Sequence, residues 1–264
     1  MKSIVHVHVP KTGGTWVEQI LDKYAGDYLI YSGHGSVDYN VHFDWQKPIS
    51  SIVDGRDSQL KVGFPKKSGV NFSYTSPERY KHSVKIAAVR NPFEMLASMY
   101  FHADGGIRYK CKQRQQRSGL PDGWDLINVI HGLRSFEEFI LTFCDPDFPF
   151  YHKRYQQNLF YQLFTGSGLC GVDLIMRTEY QSRGLATWLL AEGYVTPSGF
   201  EEICQVPKAN ARREKSSYRN LYTDDMREMV EKHCALELEL FGYDFDGPKD
   251  NDCFLDTSLI KLSN

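Results

Sequence analysis

The chain has 264 residues, 41 % of them hydrophobic and 24 % charged, a balance that suits one α/β domain with an insertion or two smaller domains. Its formal net charge is −2, so no global field draws it to nucleic acid or an acidic membrane, and an anionic ligand must be met by local cations. Six scattered cysteines without a CxxC pair permit disulfides by their even count but read rather as free thiols, and their spacing argues against an ordinary zinc site.

Met1-Lys2-Ser3 leads into Ile4–Val9, a run too short for a signal peptide or a membrane span. The chain therefore reads as cytoplasmic, although a domain cut from a longer anchored protein reads the same. Val5, Val7 and Val9 alternate with His6 and His8, which predicts a strand with the histidines packed beside the sheet. After Gly13 and Gly14, the residues Val17, Ile20, Leu21 and Tyr24 recur at helical spacing up to Gly26. Tyr28–Tyr31 is a second strand ending at Gly33-His34-Gly35, and the polar stretch 36–58 reads as a surface loop.

Leu60–Phe64 is a further strand, and Ser76-Pro77-Glu78 opens a helix. Val84–Val89 is apolar enough for the middle of a parallel sheet. At its end, Asn91-Pro92-Phe93-Glu94 supplies an N-cap and a proline at the first helical position, and Phe93, Leu96, Ala97 and Tyr100 form one helical face. Ser135-Phe136-Glu137-Glu138 is a capping box. Val172–Met176 reads as the last strand, and Thr223 caps one long helix that stops at Gly242. The polar tail after Asp246 reads as loosely held. Strands alternating with helices imply βαβ units, so the fold class is α/β: a central parallel sheet flanked by helices, with a mainly helical second half.

The strand-to-helix junction Pro10-Lys11-Thr12-Gly13-Gly14-Thr15-Trp16 carries the chemistry. Glycines let backbone N–H groups approach an anion, a helix N-terminus offers unpaired donors, and Lys11 adds a full charge. Thr12 and Thr15 add hydroxyl donors. The loop is P-loop-like without being a Walker A motif, because Lys11 precedes the glycines instead of following them. The strand Val84–Val89 runs into Arg90, a cation suited to a second phosphate rather than to a metal. The nine histidines are the natural candidates for a general base. His34 leads them, because a sheet's carboxyl edge is where α/β ligands sit; the alternative is a loop histidine bonded to nearby backbone.

Val9–Trp16 together with Ala88-Val89-Arg90-Asn91-Pro92, and Ser98 further along, resembles the two nucleotide-binding motifs of the sulfotransferase superfamily. The final stretch from Tyr218 to Tyr243 resembles the closing helix of its carbohydrate-type and bacterial members. The resemblance implies a single sulfotransferase domain over residues 1–246 with a C-terminal tail, 247–264. It also implies the donor 3′-phosphoadenosine 5′-phosphosulfate (PAPS), with adenosine 3′,5′-bisphosphate (PAP) as product.

Carried over, Lys11, Thr12, Gly13, Gly14 and Thr15 hold the 5′-phosphosulfate, Lys11 also neutralises the leaving oxygen, and Trp16 stacks on adenine. Arg90 and Ser98 take the 3′-phosphate, joined by Arg212 and Arg213. His34 resembles the Gly-His pairs that follow the second strand in carbohydrate-type relatives. The cytosolic small-molecule branch places its base in Lys-x-His-x-Pro; here Lys61-Val62-Gly63-Phe64-Pro65 has Gly63 at that place.

The expected reaction is metal-independent, in-line sulfuryl transfer to an acceptor hydroxyl, with a carbohydrate or other small molecule as the partner and neither nucleic acid nor a membrane span involved. Arg108, Lys110, Lys112, Arg114 and Arg117 form a basic loop that meets an anionic acceptor, closes over the cofactor or is simply solvated. Two competing readings keep the same loop: a nucleotide kinase, which needs magnesium and a nucleoside triphosphate, and a sulfotransferase-like protein that binds nucleotide or glycan without turnover.

Overall fold

The computed structural model describes residues 1–33, 60–62, 73–75, 79, 81–102, 135–145, 159–165, 168–208 and 217–261. In chain order its strands are β1 (Ile4–Val7), β2 (Leu29–Gly33), β3 (Leu60–Val62), β4 (Ser73–Thr75), β5 (Val84–Val89), β6 (Leu174–Arg177), β7 (Tyr243–Asp244), β8 (Gly247–Pro248) and β9 (Phe254–Leu255). Its α-helices are α1 (Gly14–Ala25), α2 (Pro92–His102), α3 (Phe136–Cys144), α4 (Gln181–Ala191), α5 (Pro197–Gln205), α6 (Asp224–His233) and α7 (Ala235–Leu240). They divide between two compact units. One comprises Met1–Val89, Gln162–Ala211 and Asp252–Asn264; the other comprises Arg90–Tyr161 and Arg212–Asn251.

The first unit is built on a five-stranded sheet in the order β2-β1-β5-β6-β9. The pairs β1–β2, β1–β5 and β5–β6 are all parallel, so the central strands end at one common edge. Apolar runs suit this position: all of β1 and the last four residues of β5 are buried. The helix α1 lays Trp16, Val17, Ile20 and Leu21 against Ile4, Ile86 and Met176, and α4 and α5 add Leu185, Leu189 and Ile203 to the same core. Each such aliphatic side chain contributes about 1.5–3 kcal/mol by leaving water. The strands β3 and β4 form a separate antiparallel pair.

The expected parallel α/β sheet flanked by helices is therefore observed. One expectation needs correction. The segment after Asp246 is not a loose tail: β9 pairs antiparallel with β6 through Ile175–Leu255 and Met176–Phe254, and Ile260 is buried. Phe254 and Ile260 supply the apolar contacts that a reading of overall polarity passed over. It follows that β6 is not the last strand.

The second unit is mainly helical. Asn91 caps α2 by accepting from the Phe93 N–H (3.0 Å), and Ser135 caps α3 by accepting from the Glu138 N–H (3.1 Å). Thr223 caps α6 by accepting from Met226 N–H (3.3 Å). The long helix expected after Thr223 is two helices, because Cys234 (φ −102, ψ 21) departs from helical geometry between α6 and α7. The core of this unit is aromatic. Tyr222 packs edge-on against Phe93 and Phe136, at 5.3 Å and 5.0 Å between ring centroids, and its hydroxyl donates to Phe93 O (2.8 Å). Among the described residues, no helix is long and apolar enough to cross a membrane.

Candidate functional site: the Lys11–Thr15 turn

The chain leaves β1 and turns sharply before α1. Lys11 takes φ 66, the left-handed region that costs a non-glycine residue on the order of 1 kcal/mol or more and marks functional turns. Gly13, at φ 76 and ψ 16, is the N-cap of α1, where no side chain caps the helix and no acidic residue occupies the first turn. The turn therefore presents an uncapped helix N-terminus, the Lys11 cation and the exposed Thr15 hydroxyl together. These are the features a phosphate or phosphosulfate group requires, so the residues present fit the donor that the sequence implies.

The two glycines serve different needs. Gly13 has a positive φ, and a Cβ there would lie 2.7 Å from Gln181 Oε1. At Gly14 a Cβ would lie 2.1 Å from His8 Cδ2 and 2.3 Å from His8 Nε2. Behind the turn, Thr12 O accepts from Gln181 Nε2 (3.1 Å) and from Thr178 Oγ1 (3.2 Å). Thr178 Oγ1 also lies 2.8 Å from Val89 O, so its one proton is shared between carbonyls at the ends of β1's loop and β5. Thr178 itself follows directly on β6, and Lys208 Nζ donates to its carbonyl (2.6 Å). One threonine thus ties together the carboxyl ends of three parallel strands.

Two expectations change. Thr12 is buried at 1 % exposure and its hydroxyl donates to Val9 O (2.8 Å), so it braces the turn instead of offering a donor to the ligand. Trp16 is also 1 % exposed; its ring belongs to the core and its Nε1 donates to Val206 O (3.3 Å), which leaves no open face for adenine. Helical position explains this: Trp16 shares the inward face of α1 with Val17 and Ile20. Sequence reasoning missed Thr178, Gln181 and Lys208. Thr178 was within reach, because it stands at the carboxyl end of a parallel strand, whereas Gln181 and Lys208 carry no sequence signal.

In the other unit, Arg90 stands just before α2 and Ser98 lies within it. Arg90 Nη2 donates to Glu94 Oε1 (2.5 Å), and Ser98, half-buried, follows Glu94 at the next i,i+4 step. Glu94 holds the guanidinium in place, a contact that sequence reading took only as part of a cap. Asn91 Nδ2 donates to Asp244 O (2.7 Å), which anchors the start of the helix. His34, Arg212, Arg213, the basic residues between 106 and 120 and the Ser76–Glu78 helix start lie outside the described residues.

A family model described as the sulfotransferase family matches residues 1–244, so the chain belongs to that family. Among solved structures, the chain is similar to the mouse sulfotransferase SULT7A1, crystallised in complex with PAP. The identity is 13 %, the match covers 88 % of this chain and 84 % of that one, and the TM-score is 0.40. No curated protein matches the chain significantly. Membership of the family assigns sulfuryl transfer as the general chemistry.

Proposed function

We propose that the chain transfers the sulfuryl group of PAPS to a hydroxyl of a carbohydrate acceptor, by metal-independent in-line displacement. The observation that carries this reading is the left-handed Lys11 beside an uncapped helix N-terminus, in a chain that belongs to the sulfotransferase family. Bound PAPS supplies an activated sulfuryl group on a phosphate leaving group. The backbone N–H groups of Gly13, Gly14 and Thr15 and the Thr15 hydroxyl hold its 5′ end, and Lys11 stabilises the charge that develops on the departing oxygen. Arg90 and Ser98 hold the 3′-phosphate, with Arg212 and Arg213 adding cations. Glu94, bonded to Arg90, keeps the guanidinium oriented.

His34 takes the acceptor's proton, a contribution of roughly 10² to 10⁴ in rate. The roles of Trp16 and Thr12 are structural on this reading, since both side chains are buried. A thermal-shift comparison tests the donor class. PAP is expected to raise the melting temperature, and ATP with magnesium is expected to leave it near that of the free protein. Stabilisation by ATP–magnesium alone overturns the reading in favour of a nucleotide kinase.

A further inference from the structure

His8 follows directly on β1, and the alternation of the strand puts it on the side of Ile4 and His6, where Ile4 shares a core with α1. It is 9 % exposed, and its ring stacks on His6 at 5.6 Å and 21°. Two residues of α1 separated by one helical step face this ring. Gly14 meets its Cδ2–Nε2 edge so closely that any Cβ would overlap it, and Glu18 places Oε1 3.0 Å from its Nδ1. That distance is a hydrogen bond between ring and carboxyl group, and it fixes the orientation of the imidazole. The residue at 14 is therefore small because the ring is there, and the ring is oriented because Glu18 holds it.

We propose that His8, oriented by Glu18, is the seat on which the first turn of α1 rests, and is thereby a positioning residue for the donor's 5′ group. This rests on the sulfotransferase reading. The physical reason is that N–H groups bind an anion well only when aimed at it, and those of Gly14 and Thr15 move with the first turn of α1. A displacement of about 1 Å at such a site can cost on the order of a hundredfold in rate. The imidazole edge sets the distance between α1 and β1 at this end, because no side chain intervenes at Gly14.

Calorimetric titration with PAP and thermal melts of four chains test this: wild type, Gly14→Ala, His8→Ala and the double variant His8→Ala/Gly14→Ala. Each single variant is expected to lose about tenfold or more in PAP affinity. The double variant is expected to bind better than Gly14→Ala, because removing the ring makes room for the new methyl group. Glu18→Ala, which leaves the ring in place but unheld, is expected to weaken PAP binding several-fold.

A double variant that binds no better than Gly14→Ala, or a His8→Ala chain that binds as the wild type does, overturns the proposal. Should Gly14→Ala not fold, recovery of a cooperative melt in the double variant is the supporting result and its absence the contrary one. Failure of the wild type itself to bind PAP counts against the sulfotransferase reading instead. In that case the melts still decide the seat: Gly14→Ala lowers the melting temperature and His8→Ala in the same chain restores it, or the seat is wrong.

Discussion

Individual side chains in this protein are best understood by what lies against them. The reading of Lys11 rests on a lysine beside two glycines at a strand-to-helix junction, and its left-handed backbone fits that reading. Trp16 and Thr12 were not, because a motif names residue types but does not tell which face of the helix or turn each one takes. Their burial follows from the pitch of α1 and from a backbone carbonyl at Val9. A different case is Glu237, buried in α7, where its Oε1 accepts from Leu159 N–H at 3.1 Å. Loss of hydration on burial raises its pKa from the ordinary glutamate value, against smaller opposing hydrogen bonds from the Glu237 and Leu159 N–H groups. The folded state therefore holds this proton more tightly than the unfolded chain does. Its contribution is full below the unfolded value and is lost as pH rises through the folded one. Glu237→Gln keeps an acceptor for Leu159 without the charge. It is expected to melt at or above the wild-type temperature at neutral pH, with the gap closing toward pH about 4. Parallel pH profiles for the two proteins would contradict this account of Glu237.

Among the elements, those carried by local signals were readable: β1, α1 and β5, and the caps at Asn91, Ser135 and Thr223. What escaped depends on pairing distant in sequence. The strand β9 is two residues long and carries no periodicity, yet it forms the antiparallel edge of the sheet beside β6. The same segment supplies the Asp252 carbonyl that accepts from Arg177 Nη1 (3.2 Å) and the Cys253 carbonyl that accepts from the Arg177 N–H (3.2 Å). Arg177 is 2 % exposed, so removing these acceptors leaves a buried cation with unmet donors, at a cost of about 1–3 kcal/mol or more. Ending the chain after Asn251 is therefore expected to lower the melting temperature by about 2–12 °C, at roughly 2–4 °C per kcal/mol for a protein of this size. A truncated chain that melts with the full-length protein would return the segment to the status of a loose tail.

At the scale of the whole molecule, four parallel strands place the Lys11 turn, Val89 and Thr178 at one edge of the sheet, and a hydroxyl shared between two carbonyls joins them. This explains why motif spacing pointed to the family: a strand followed by a turn and a helix brings loop residues to a carboxyl edge whatever the details of the intervening segments. It also explains why the sequence left the acceptor open, since acceptor choice belongs to loops whose shape no local periodicity encodes. The central claim is that the chain moves a sulfuryl group and that Lys11 stabilises its transfer. It is tested most directly by following radiolabelled sulfur from PAPS into a panel of glycans, phenols, alcohols and amines, with the wild type and Lys11→Ala side by side. The expected result is labelled product with at least one hydroxyl acceptor, and a loss of about 10² to 10³ in rate for Lys11→Ala, the scale of losing one donor to developing negative charge. Labelled product formed equally fast by both proteins, or no labelled product with any acceptor in the panel, would contradict it.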